Sequence, residues 1–310
     1  MTSLEELAAH LRACRAVRIV YHIRPDGDCI GSAFALAMAL QSVGIQTAVT
    51  GRDPVPAPFR YLTEQYVPDA PEDAVWISVD TSTPYRTGPF AEQHFTFCLD
   101  HHNGNTIEAD YKYVEPDCGA CSEIIYKLLC VMKIPVTKPI ADLLYAAIVT
   151  DTLCFRTSDA SAQTFRTAAA LAECGADIEN IGRRHMMYKS KGRRKIEKAL
   201  ERRMHISCGE QLFSSIIFRS DLEAAGIADS DLEGINAYIE QYEEMRIGVT
   251  LRELPDGRTR CSIHTKGDIY AHEICQRFGG GGHLHASGCE LDAPPEQARE
   301  IVEAVCREYL

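Results

Sequence analysis

The chain has 310 residues and a net charge of −12, long enough for two domains with separate cores. That charge disfavours a protein gripping long duplex DNA by its phosphates, which calls for a basic face. It fits a short anionic substrate met locally by cations and a few basic groups.

Residues 4–14 have helical apolar spacing, and residues 17–21 read as a strand. Residues 30–43 read as a helix closed by Gly44, with Gly31 and Ser32 at its opening, and residues 45–49 as a second strand. After a proline-rich loop, residues 75–79 and 95–99 read as strands. Helices are expected at 121–132, at 140–150 before a turn at Asp151, and at 160–174, ended by Gly175. Such alternation predicts an α/β fold, a doubly wound parallel sheet with helices on both faces. The composition shifts after Ile181, where arginines and lysines crowd from Arg183 to Arg203. This segment reads as a mostly helical connector, either simply solvated or drawing an oligonucleotide backbone along one face. Beyond it, 211–218, 246–254 and 259–264 read as strands, and 271–278 and 295–309 as helices. The expected domains are therefore 1–182 and 205–310, joined by 183–204.

No apolar run approaches a bilayer span. The polar start with Glu5 and Glu6 lacks the order of a secretion signal, so a cytoplasmic protein without a membrane partner is expected. The 13 cysteines then read as reduced thiols. Cys118-Gly119-Ala120-Cys121 has CxxC spacing but no second pair, and reads as a helix start with Asp117 as a cap.

Four acid and histidine clusters follow apolar runs. They are His22-Ile23-Arg24-Pro25-Asp26-Gly27-Asp28, then Asp80, then Asp100-His101-His102, and then Asp151 after residues 146–149, a run counted with the strand-like ones. Strand ends that each carry a carboxylate or imidazole can converge on one edge of a parallel sheet, hold two divalent cations and cleave phosphoesters. Mn²⁺ accepts both ligand types. In a loop leaving a strand, Gly27 would relax the backbone so that His22 and Asp26 meet one ion and Asp28 another. Singly, each cluster has a plain explanation: a turn at Asp26-Gly27-Asp28, helix caps at Asp80 and Asp151, a surface loop at the histidines. The set is what points to metals.

This order of motifs resembles the DHH phosphoesterase superfamily, named for the third cluster. The run Phe278-Gly279-Gly280-Gly281-Gly282-His283-Leu284-His285-Ala286-Ser287-Gly288 looks like the signature of the DHHA1 domain. The resemblance covers nearly the whole chain. Within the superfamily, its length and ending are similar to compact bacterial oligoribonucleases that also dephosphorylate 3′-phosphoadenosine 5′-phosphate (pAp). It implies a DHH catalytic domain and a smaller α/β DHHA1 domain across a cleft. It also implies two Mn²⁺ ions, with Mg²⁺ or Co²⁺ as substitutes.

By this resemblance His22, Asp26 and Asp80 hold the first ion. Asp28, Asp80, His101 and Asp151 hold the second, Asp80 bridging. His102 faces the scissile phosphate, and Asp100 orients the histidine pair. A hydroxide formed between ions about 3.5–4 Å apart would attack in line, with His102 stabilising or protonating the departing oxygen. Gly280, Gly281, Gly282 and His283 are expected to bind a substrate phosphate or ribose, with Lys266 and Arg156 as further contacts. His264 stands where relatives commonly have arginine, so it offers fewer donors. Cys29, beside Asp28, either makes the site sensitive to oxidation or packs as a small hydrophobe. The implied partners are short RNA oligonucleotides, linear dinucleotides such as pApA, and pAp, with a homodimer as an allowed assembly. Rival readings are an inorganic pyrophosphatase, a single-strand DNA exonuclease and a non-catalytic nucleotide-binding regulator.

Overall fold

Five runs in the first part of the chain pair as one parallel sheet. They are β1 (Ala16–Val20), β2 (Gln46–Thr50), β3 (Val75–Val79), β4 (Phe95–Asp100) and β5 (Ala109–Val114), in the order β2-β1-β3-β4-β5. Ile19 lies opposite Val49 on one side and Ile77 on the other, and Ile77 lies opposite Phe97. The computed structural model describes residues 2–232 and 234–310. It divides into two units, one ending at Tyr188 and the other beginning at Lys189.

The chain leaves β1 toward β2 on one side and later returns to place β3 on the other. The strand order therefore reverses between β1 and β3, and parallel sheets bind ligands outside the carboxyl ends of their strands at such a point. His22 and Asp80 follow those two ends. β5 was not expected as a strand. Its sequence Ala-Asp-Tyr-Lys-Tyr-Val is that of a half-covered edge, not the continuous apolar run of an inner parallel strand.

Helix Gly27–Ser42 begins at Gly27, not at residue 30, because Asp26 caps it: Asp26 Oδ1 accepts from the Cys29 amide at 3.0 Å. Gly27 is helical, so it is not there to loosen the backbone. A Cβ on it would lie 2.2 Å from Thr150 Oγ1, and one on Gly31 would lie 2.5 Å from the Leu143 carbonyl oxygen. These two glycines, one helical turn apart, let the helix press against helix Lys138–Asp151. The run 146–149 is thus the end of that helix and not a strand. The main core joins these two helices, Leu4–Arg12 and Cys121–Val131 to the sheet. The opposite face carries a small cluster of Val20, Phe95, Cys98 and Ile107 with Trp76 and Phe90 against it. Phe90 comes from the 3-10 segment Pro84–Phe90, so the second layer expected as helices is thin here.

The second unit has a six-stranded sheet in the order β10-β11-β9-β8-β7-β6, with β6 (His205–Ser207), β7 (Leu212–Ile217), β8 (Ile247–Glu253), β9 (Thr259–Thr265), β10 (Gly281–Gly282) and β11 (Ala286–Leu291). Only β7 and β8 pair in parallel. Helix Pro295–Cys306 supplies Ala298, Val302 and Cys306 to its core. The basic segment 183–204 is shared between the units: a π turn at Arg183–Met187 in the first, helix Lys191–Arg202 in the second. Much of its charge is engaged internally, as in Arg193 with Glu197 (3.2 Å) and Arg203 with Asp221 (2.7 Å). No helix among the described residues is long and apolar enough to cross a membrane.

Candidate metal centre

His22, two residues beyond β1, donates from Nδ1 to the Ile23 carbonyl at 3.0 Å, since a carbonyl can only accept. Its Nε2 lone pair then faces Asp26 Oδ2 at 3.2 Å and Asp80 Oδ2 at 3.7 Å. His101 repeats the arrangement. Its Nδ1 donates to the Cys118 carbonyl at 3.0 Å, and Nε2 lies 3.5 Å from Asp80 Oδ1, 3.6 Å from Asp151 Oδ2 and 3.8 Å from Asp28 Oδ2. Two lone pairs facing carboxylates repel unless a cation lies between them. A second ring nitrogen held by a backbone carbonyl is the usual support of a metal-bound imidazole.

The donor atoms form three overlapping groups, each within 4.8 Å of one another: His22, Asp26, Cys29 and Asp80; Asp80, His101 and His102; Asp28, His101 and Asp151. Asp80 enters two of them. It turns toward the cluster from a left-handed backbone (φ 52°), a conformation costly for a residue with a Cβ and often found where a side chain must be aimed. Its Oδ1 is buried without a hydrogen-bond partner. Asp28, by contrast, is held at both oxygens, by the Cys121 amide (2.6 Å), the Ser122 amide (3.1 Å) and the Ser32 hydroxyl (3.0 Å).

Burial, with Asp28, Asp26, Asp100 and Asp151 around it, pushes the Asp80 carboxyl well above the usual range. Loss of hydration and Asp28 do the same to Asp151. Burial also raises Asp28, further helped by Asp26. Burial opposes charge on His101, yet Asp151 and Asp28 raise it to about 9. Asp28, Asp80, Asp151 and His101 are thus displaced toward holding a proton, while, against burial, His22 and the Cys29 amide hold Asp26 well below the usual carboxylate range. Bound cations would relieve the same crowding, and carboxylate and imidazole donors so arranged could hold divalent metal. Asp28 and Asp80 form a buried floor, while Asp26 and Asp151 side chains are 40% and 32% exposed and mark the open rim.

Beside this cluster, His102 Nδ1 donates to Asp100 Oδ1 at 2.8 Å, and the fully buried Asp100 also accepts from the Asn105 amide. Asp100 therefore orients His102 only, and Cys118 orients His101. At the fourth cluster the helix expected at 140–150 is present and runs on to Asp151, so three strand ends and one helix end meet here in place of four strand ends.

Residues 16–148 match the DHH family, N-terminal domain, and residues 213–309 match the DHHA1 domain. The chain belongs to the DHH/DHHA1 superfamily. It is 28% identical over 300 residues to the bifunctional oligoribonuclease and PAP phosphatase NrnA of Thermus thermophilus, covering 95% of this chain and 90% of that one. It is 25% identical to the protein of the same name from Mycoplasma pneumoniae, covering 98% and 94%. A crystal structure of an exopolyphosphatase-related protein from Bacteroides fragilis has the same fold, with a TM-score of 0.89 at 20% identity, covering 99% and 96%.

The other expected site residues have defined settings. In the DHH unit, Arg156 Nε donates to the Leu153 carbonyl at 2.6 Å. In the DHHA1 unit, His264 Nδ1 pairs with Glu240 at 2.6 Å, and Lys266 Nζ donates to the Tyr242 carbonyl at 2.6 Å. The glycine run is ordered: Gly281 and Gly282 pair with Gly288 and Ser287 as strand β10, and the His283 amide donates to the Ala286 carbonyl at 2.9 Å. A Cβ on Gly280 would lie 2.3 Å from the Gly288 carbonyl oxygen, and one on Gly282 would lie 2.7 Å from that of Ala286, while Gly281 is open. Two of these glycines are thus explained by packing.

Two participants escaped the sequence, and Cys29, for which it offered two readings, joins the first donor group. The CxxC start serves the metal centre: no side chain caps helix Cys121–Val131, so Asp117 is not its cap, and Asp28 takes its first amides instead. Asn105 steadies Asp100; its place five residues on was the one available signal.

Proposed function

We propose that this chain is a phosphoester hydrolase acting on short oligoribonucleotides, on linear dinucleotides such as pApA and on pAp. The observation that carries the proposal is the convergence of His22, Asp26, Asp28, Asp80, His101 and Asp151, with the buried Asp80 Oδ1 unsatisfied. The names of the full-length relatives support this substrate class. Two Mn²⁺ ions, with Mg²⁺ or Co²⁺ as substitutes, would polarise the phosphate and lower the pKa of water when bound. His22, Asp26 and Asp80 would hold one, and Asp28, Asp80, His101 and Asp151 the other.

The protein's own contribution is proton placement. Asp100 fixes the His102 tautomer with hydrogen on Nδ1 and stabilises the ring if Nε2 is protonated. We assign that Nε2 to the departing ribose oxygen as hydrogen-bond donor. Gly281, with room at its Cα, and His283 are assigned to the substrate in the DHHA1 unit, along with Gly280, Gly282, Lys266, His264 and, in the DHH unit, Arg156. Because Glu240 holds His264, its phosphate contact is the weakest of these assignments.

The test is a product time course with Mn²⁺ on pAp, pApA, a five-nucleotide RNA, a 24-nucleotide RNA and pyrophosphate. Rapid loss of the short nucleotides with little attack on the long strand is expected. Fast pyrophosphate hydrolysis beside inert nucleotides would overturn the assignment.

A further inference from the structure

The first donor group contains a sulfur. Cys29 is the third residue of helix Gly27–Ser42, on the same turn as the capping Asp26, and its side chain is fully buried. Its Sγ and donor atoms of His22, Asp26 and Asp80 all lie within 4.8 Å of one another. Four tetrahedral ligands on one first-row cation, with bonds of about 2.0–2.3 Å, stand roughly 3.3–3.8 Å apart, so a contraction of up to about an ångström closes these four on one ion. The thiol has one weak engagement, a contact of 3.5 Å to the Asp26 carbonyl, which is easily given up. Asp80 meets His22 through Oδ2, at 3.7 Å from Nε2, while its buried, unpartnered Oδ1 faces His101 at the neighbouring position, so the one carboxylate serves both groups.

We propose that Cys29 Sγ is a ligand of the ion held by His22, Asp26 and Asp80, giving that position a preference for Zn²⁺ or Co²⁺ over Mn²⁺ or Mg²⁺. The inference rests on the metal-centre reading above. On binding, the S–H bond breaks, a sulfur–metal bond forms and the proton leaves to solvent, with no change of oxidation state. One histidine, two carboxylates and one thiolate make a four-ligand set of the kind borderline cations favour, and thiolate selects against hard ions. The other position, formed by Asp28, Asp80, His101 and Asp151, has only oxygen and imidazole ligands and stays suited to Mn²⁺. The two positions would then differ in the metal they prefer, which refines the reading above that places Mn²⁺ at both.

The test is optical. The full-length protein, stripped with a chelator, is titrated with Co²⁺. Visible ligand-field bands report bound cobalt, and a near-ultraviolet sulfur-to-cobalt charge-transfer band reports a thiolate ligand. Wild type is expected to show both. Cys29→Ser is expected to keep the visible bands and lose the near-ultraviolet band. It should bind Zn²⁺ and Co²⁺ at least about tenfold more weakly while Mn²⁺ affinity changes by less than about twofold. Cys29→Ala, with thermal melts of both variants, separates a lost ligand from a damaged fold. Visible bands in wild type without the charge-transfer band would refute the sulfur ligand and leave the metal centre standing. No visible bands at all would overturn the metal centre itself.

Discussion

Gly31→Ala adds one methyl group at the tightest helix contact beside the metal centre. The new Cβ would lie 2.5 Å from the Leu143 carbonyl oxygen and 2.8 Å from Ala147 Cβ. The first is backbone of a helix whose Leu143, Leu144 and Ala147 are fully buried, so nothing there can swing aside. Ordinary contact returns only if the helices part by roughly an ångström. Overpacking costs about 1–3 kcal/mol, and a backbone obstacle belongs in the upper half of that range. Alanine recovers about 1 kcal/mol of helix propensity, leaving a net loss of about 1–2 kcal/mol. In a unit of this size that is a fall in Tm of about 2–8 °C. Parting these helices also moves Asp151 from Asp28 and His101, so Mn²⁺ should bind more weakly. Gly182→Ala is the control: Gly182 is helical (φ −57°) with nothing within 4 Å of its would-be Cβ. It should gain up to about 1 kcal/mol from propensity alone. Thermal melts with chelator and with Mn²⁺ read both effects. If Gly31→Ala were as stable as Gly182→Ala and bound Mn²⁺ like wild type, the close helix contact would not be what positions Asp151.

Leu153, Cys154 and Phe155 all have left-handed backbones, and Leu153 (φ 46°) is partly exposed. Leu153→Gly should stabilise by about 0.5–1 kcal/mol, the left-handed penalty less the flexibility of glycine; a chemical-denaturation midpoint that falls would contradict this. His185 is stacked on Phe59 and bonded to Tyr61, and burial followed by Arg184 lowers it to about 4. Its unfolded value is near 6.5, so the unfolded chain takes up the proton first. Stability is full above pH 6.5, falls as the pH drops toward 4 and then levels. Allowing for the ring's partial exposure, the loss is about 1–2 kcal/mol. His185→Gln should flatten the melting profile between those values, and an unchanged slope would exclude the histidine as its source. Asp80→Asn should stabilise the metal-free protein by about 1–2 kcal/mol by removing a crowded buried charge. It should also abolish the roughly 2.7 kcal/mol that Mn²⁺ at a hundred times its Kd gives wild type. Melts with and without metal test the two signs, and equal stabilisation of both proteins by Mn²⁺ would refute them. Asp100→Asn should leave metal content unchanged and cut turnover about a hundredfold or more, by releasing the His102 tautomer; undiminished turnover would remove His102 from the reaction.

The inner strands were legible because β1 and β3 are short, apolar and β-branched, β4 is short and apolar with aromatic residues, and each leads into a polar cluster. β5 was not, because an edge strand alternates and resembles a loop. The run Ala146-Ala147-Ile148-Val149 was legible both as the end of a helix at 140–150 and as a strand-like run, since a few consecutive apolar residues suit a buried strand or a buried helix equally. Its length back to Lys138 decides for the helix. The site's residue types could be read from the sequence, but their supports could not. Asp28 meets the amides of Cys121 and Ser122 across more than ninety residues, a pairing without local signature. The glycines at 27 and 31 could be seen, while the helix they admit could not.

The ends of helices account for how so many carboxylates are held together. Asp28 lies in the first turn of helix Gly27–Ser42 and takes the first amides of helix Cys121–Val131. Two helix N-termini therefore stabilise its negative charge. Asp151 ends helix Lys138–Asp151, and a helix C-terminus favours a nearby cation. Asp80 has neither kind of support: its left-handed backbone aims it inward and its Oδ1 is unsatisfied. Substituting Asp28 removes an acceptor on which two helices depend, so metal binding and folding should be lost together. Substituting Asp80 removes only repulsion and a ligand. The same residue type at the two positions thus carries opposite consequences for the metal-free protein, and the amides and hydroxyl that hold Asp28 at both oxygens, against the unsatisfied Oδ1 of Asp80, are the reason.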